Sequence, residues 1–139
     1  MIKKYAMKLF LSTVLSILFV HTLSSQDGKP TDYLTSKFHK ERREALRAKM
    51  PKNSVAVFFA NPVRNRANDV DYVYHQDPDF YYLTGYKEPH SVLVIFSEDY
   101  KHEGKLVDEI LYVQKKNAFM EQWTGKRLGV EGANSILGI

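Results

Sequence analysis

Not one cysteine occurs in the 139 residues. That excludes disulfides, thiolate zinc sites, a cysteine nucleophile and a lipid-modified lipobox cysteine. Tryptophan occurs once, at Trp123, and proline only five times. No internal repeat and no low-complexity tract is found, so the chain is neither a solenoid nor a disordered linker. A catalytic signature is also missing: there is no GxSxG, P-loop, dinucleotide fingerprint or HExxH. The five histidines are scattered. His21 falls near the chain start, and His39 falls on what reads as the polar side of a helix. His102 falls in a charged stretch.

Excess charge is lacking as well, although the formal net charge of +4 suggests otherwise. The first 25 residues contain Lys3, Lys4 and Lys8 and no acid, and without them 17 basic face 16 acidic residues. A chain so balanced has no electrostatic footprint for nucleic acid. Lys40, Arg42, Arg43, Arg47 and Lys49 form a local basic run. With Glu41 and Glu44 among them they read as a solvated helix face.

What is present begins with a leader. Three lysines precede an apolar stretch over residues 9–20, broken only by Ser12, Thr13 and Ser16. Thr22, Ser24 and Ser25 follow, then polar Gln26-Asp27-Gly28. This three-part order is that of a secretory signal peptide over residues 1–25, cleaved near Ser24 or Ser25. The alternative, an uncleaved anchor, fits less well because the apolar run falls short of the ~20 residues of a membrane span. The expectation is export to a periplasmic or extracellular space, with no membrane attachment after cleavage. Residues 26–32 read as a linker and 33–139 as one domain.

Within that domain Thr35 or Ser36 caps a helix expected over residues 37–50, with Phe38, Ala45, Leu46 and Met50 on one face. Residues 54–60 (SVAVFFA) and 91–97 (SVLVIFS) read as strands buried on both faces. Residues 80–83 read as a short strand, and Thr84-Gly85 as a turn. Residues 99–108 read as a charged loop turning at Gly104, and 109–114 as a third strand. Asn117 caps a short helix through Trp123, and a last helical turn is expected over residues 133–137. Doubly apolar strands among helices imply a layered α/β sheet. A sheet so small leaves an edge open, and the domain reads as incomplete at its C-terminal end.

Residues 66–86 gather Asp69, Asp71, Asp77, Asp79, His75 and five tyrosines. A metal site is one reading. Against it, no glycine sits where a calcium loop turns, and Pro78 interrupts the acids. A loop whose acids cap turns and whose aromatics pack on the sheet is the simpler reading. Trp123, between charged residues and Gly125, belongs to an exposed loop region.

One resemblance gathers these features. The stretches DFYYLTGY (79–86), Glu88-Pro89 and WTGKRLG (123–129), in this order after the opening helix and SVAVFFA, resemble the N-terminal domain of aminopeptidase P, in the creatinase/prolidase superfamily. The resemblance covers residues 33–139. It implies an α/β domain with a mixed sheet flanked by helices, of ribonuclease H-like topology. It further implies a parent enzyme, a metallopeptidase that removes the first residue from peptides with proline second. In that parent a separate catalytic domain holds two manganese ions and their carboxylate and histidine ligands. None of those ligands maps onto this chain, so no catalytic residue and no metal site is expected in it. The expected parts are homo-oligomer contacts and gating of a neighbouring subunit's cleft. Trp123 corresponds to the gating aromatic and Asp69 to an acid near the neighbour's substrate. His75 stands where the family commonly has arginine. The chain then reads as the front part of such an enzyme; the alternative is a stand-alone module that docks on a full-length relative.

Overall fold

The computed structural model describes residues 34–139. The leader, the linker and Tyr33 lie outside these residues. Helix α1 (Ser36–Arg47) opens the domain. Thr35 caps it, its hydroxyl accepting the Phe38 amide at 3.2 Å, a standard device for an unsatisfied first-turn donor. Strands β1 (Val55–Phe59), β4 (Val92–His102) and β5 (Lys105–Tyr112) form one sheet in the order β1-β4-β5. Both pairings are antiparallel. Between β1 and β4 lie a small hairpin, β2 (Asn65–Ala67) with β3 (Val70–Asp71), and helix α2 (Pro78–Thr84). Helix α3 (Ala118–Thr124) follows the sheet. A short α4 (Gly129–Gly132) then runs into a π-helical turn (Ala133–Leu137). The α/β class is as expected.

Residues 80–83 are not a strand but part of α2. Four consecutive aromatic or large apolar residues favour a strand by composition, yet local chemistry overrides them. Asp77 caps the helix by accepting the Phe80 amide at 2.9 Å, and Pro78 occupies its first turn. Gly85 ends it at φ 70°, the left-handed position that glycine takes freely. A side chain is excluded there for a second reason: a Cβ at Gly85 would come within 2.8 Å of the His39 ring.

Residues 99–108 are likewise not a loop. β4 and β5 extend through them as a hairpin closed by Glu103-Gly104, both at positive φ (47° and 81°), the conformation of a tight two-residue turn. Their charged side chains masked the strand because this part of the ribbon is solvated. The ladder slips between Ile95 and Tyr100. Arg47 fills the slip. Its guanidinium donates to the Phe96 carbonyl (2.9 Å), to Asp108 (2.7 Å) and to Asp99 (2.6 Å).

The core gathers Phe80, Leu83 and Tyr86 with Leu93 and Ile95 of β4, Ala60 behind β1, and Ala133 and Leu137 of the last turn. Only one face of the sheet is buried. Val55, Val57 and Phe59 alternate outward, and Phe59 is 66% exposed. The expectation of strands covered on both faces therefore fails for β1.

The basic run on α1 is not a wholly solvated face. Arg43 is buried, donating to both Glu109 oxygens (2.6 and 2.9 Å) and to the Leu83 carbonyl (2.8 Å). His39, expected on the polar side, is buried too. Its Nδ1 lies 2.8 Å from the Tyr82 carbonyl, so Nδ1 carries the proton; Nε2 is buried without a partner among the described residues. The sparse apolar positions of α1 hinted at this: too few exist to fill the inner face, so polar residues one turn apart complete it.

Candidate functional site

Trp123 and Asp69, the two expected site residues, both project into solvent. Trp123 is 80% exposed, the last but one residue of α3, a helix with no buried residue. Phe119 and Met120 on the same helix are also exposed. With no core contact to hold it, α3 depends on its cap. The Asn117 side chain accepts the Phe119 and Met120 amides, each at 3.1 Å, and Glu121 reaches back to the Asn117 amide at 2.8 Å. Gly125 closes the helix at φ 84°. Asp69 sits at the exposed tip of the β2–β3 hairpin, where Asn68 takes φ 51°. Asn65 spans that tip, its Nδ2 donating to the Asn68 and Val70 carbonyls. No hydrogen bond or ion pair joins Asp69 to Trp123.

The residues linking these two outposts to the body were not foreseen as site residues. Gln76, on the return from the hairpin, uses every polar atom of its side chain. Its Oε1 accepts from the Asn61 amide (3.1 Å), the Asp77 amide (2.9 Å) and the Tyr74 hydroxyl (2.8 Å). Its Nε2 donates to the Tyr86 and Glu88 carbonyls (3.1 and 3.0 Å). Glu88 receives the buried Tyr86 hydroxyl on Oε2 (2.7 Å) and the Leu128 amide on Oε1 (2.6 Å). Of Gln76 and Glu88 only Glu88 fell in a recognisable stretch, and the bonds that make the two a brace, to the Tyr86 carbonyl and the Leu128 amide, span 10 and 40 residues.

Burial, reinforced by Glu88's hydrogen bond and charge, raises the Tyr86 hydroxyl pKa strongly, against the opposing effects of Ser91's hydrogen bond and the charge of Arg127. Burial, with the charge of Asp77 beside it, pushes Tyr74 up to about 12. Both hydroxyls are therefore neutral donors at physiological pH. His75 is exposed and makes no ion pair among the described residues; its carbonyl accepts from Asn61 at 3.0 Å.

Among the described residues no group of three or more histidine and acidic side chains is arranged to hold a metal ion. Of the acids of residues 66–86, Asp77 caps α2, Asp79 lies in its first turn, and Asp71 of β3 accepts from Asn65 Nδ2 at 3.3 Å. Trp123 and Asp69 are thus two exposed projections on a braced α/β body.

Comparison with known proteins identifies the family. Residues 39–139 match the family "Aminopeptidase P, N-terminal domain". The chain is 38% identical to the Xaa-Pro aminopeptidase of Escherichia coli over 98 residues, 70% of this chain and 21% of that protein. It is 36% identical to the intermediate cleaving peptidase 55 of Schizosaccharomyces pombe over 104 residues, 75% of this chain and 21% of that protein. Among solved structures, the low-pH form of Escherichia coli aminopeptidase P superposes with a TM-score of 0.67 at 33% identity, covering 78% of this chain and 24% of that one. The chain belongs to the aminopeptidase P family, which it matches through the N-terminal domain. It spans about a fifth of the length of these two curated relatives.

Proposed function

We propose that this domain is the non-catalytic N-terminal part of an exported, manganese-dependent aminopeptidase acting on peptides with proline at the second position. Its own work is to make contacts between subunits and to narrow a neighbouring subunit's cleft through Trp123, with Asp69 beside the substrate's ammonium terminus. The observation that carries the reading is Trp123 itself. A large amphipathic ring, 80% exposed on a helix with no buried residue, is suited to meeting a surface outside its own domain. Asp69, exposed and without a side-chain partner among the described residues, offers a carboxylate for a charge-assisted hydrogen bond. The leader over residues 1–25 supports export. The described residues supply no ligand set for manganese, so the metal chemistry is assigned to the catalytic part of the parent enzyme.

The test is a chimera in which residues 34–139 replace the matching domain of the Escherichia coli Xaa-Pro aminopeptidase. With Trp123→Ala or Asp69→Asn, KM for an Xaa-Pro peptide is expected to change about fivefold, the equivalent of ~1 kcal/mol of binding. Unchanged kinetics in both variants would remove the gating role. A second reading, a stand-alone module docking on a full-length relative, is favoured by the exposed outward face of β1. It is separated by testing whether the full chain co-elutes with the full-length Escherichia coli enzyme.

A further inference from the structure

The two projections share one foundation. Helix α3 rides on an excursion of the chain, residues 115–128, that leaves the sheet after Gln114 and returns at Leu128. Both ends of that excursion are fastened to the dipeptide Glu88-Pro89. At the departure, Gln114 Nε2 donates to the Pro89 carbonyl at 3.0 Å. At the return, the Leu128 amide donates to Glu88 Oε1 at 2.6 Å. Weaker bonds tie the two limbs together, from Arg127 to the Lys115 carbonyl (3.5 Å) and to Thr124 (3.4 Å). The hairpin's return strap reaches the same corner, through Gln76 to the carbonyls of Tyr86 and Glu88.

We propose that Glu88 is a positioning residue: its carboxylate sets where the Trp123 helix stands relative to the sheet. The physical case rests on three observations. First, α3 buries no residue, so hydrophobic packing does not fix its place. Secondly, the carboxylate is itself held, because its other oxygen takes the hydroxyl of fully buried Tyr86. Orientation is thereby passed from the core to the Leu128 amide through one rigid planar group. Thirdly, a hydrogen bond from a backbone amide to a carboxylate is among the stronger kinds, which suits a single anchor point. Glu88 touches neither projection directly and acts through the backbone at Leu128. This assignment rests on the gating reading of Trp123 for its purpose, but not for its geometry.

The geometry can be tested on the full chain without any activity. Trp123 is the only tryptophan, so fluorescence anisotropy reports on α3 alone. Glu88→Ala is expected to speed amide exchange at Leu128 about tenfold and to lower Trp123 anisotropy, while the β4 amides keep their protection. Tyr86→Phe, which frees the carboxylate but leaves it in place, is expected to do the same more weakly. If Glu88→Ala loses the fold, Glu88→Gln carries the test, since its amide oxygen still accepts and partial retention of Leu128 protection is expected. Exchange at Leu128 within about twofold of the parent in both Glu88→Gln and Tyr86→Phe, with unchanged anisotropy, would overturn the proposal. So would loss of protection equal at Leu128 and in β4. Normal anchoring by these measures, together with unchanged kinetics of the Trp123→Ala chimera, would sink the gating reading and leave the positioning role of Glu88 standing.

Discussion

A guanidinium that is 1% exposed needs a partner at every nitrogen, and each of the three nitrogens of Arg43 has one. Three of its donors meet two carboxylate oxygens and one carbonyl. Removing it strands Glu109 in a partly buried place. Arg43→Met is therefore expected to lower the free energy of unfolding by about 3–5 kcal/mol, read from denaturant midpoints. The double replacement Arg43→Met with Glu109→Leu is expected to recover most of that loss, because no unpaired charge then remains. Much of this was beyond reach of residue patterns. Arg43 lies in a run of alternating charges that ordinarily means a wet helix face. Its burial follows from a partner 66 residues away. Trp123 and Asp69 were easier to place, because glycine and charged neighbours, and an Asn-Asp pair, mark exposed turns by local chemistry alone.

At the scale of elements, the strands of continuous apolar residues and the capped helix α1 followed directly from their patterns. Helix α2 did not, because the aromatic content of residues 80–83 outweighed the Asp77-Pro78 start and Gly85 stop that determine it. The β4–β5 ribbon was foreshortened because solvated strands lose the apolar signature that betrays buried ones. Helix α3 was legible through Asn117, and that cap is its principal support. Asn117→Ala is expected to cost about 1 kcal/mol, confined to α3. Faster exchange at Phe119 and Met120 and a fall in Trp123 anisotropy check it, with the global unfolding midpoint nearly unmoved. The small global effect follows because nothing in α3 is buried.

For the molecule as a whole, two tyrosines govern the alkaline limit. The hydroxyls of Tyr86 and Tyr74 titrate above the ordinary value of 10.0, Tyr74 at about 12. An acid with a raised folded pKa stays neutral in the fold and ionises more easily once unfolded. The stabilisation is thus complete below pH ~10 and is lost as pH climbs from there through the raised values. Unfolding midpoints are expected to hold steady up to that pH and to fall beyond it. Tyr74→Phe should flatten part of the fall, which denaturation followed by circular dichroism would reveal. The near balance of 17 basic and 16 acidic residues over residues 26–139 leaves little general charge repulsion to obscure the effect at neutral pH.

The tip of the β4–β5 ribbon offers a practical opening for protein engineering. A Cβ at Gly104 would find nothing within 4 Å, and Leu106 beside it is 72% exposed. The core ends well before this turn, at Leu93 and Ile95, and so do the anchors at Glu88 and Gln76. An epitope or a fluorophore inserted between Glu103 and Gly104 would therefore extend the ribbon without disturbing either projection. That makes the turn the natural place from which to tether or label the domain while the Trp123 helix and the Asp69 hairpin remain unobstructed.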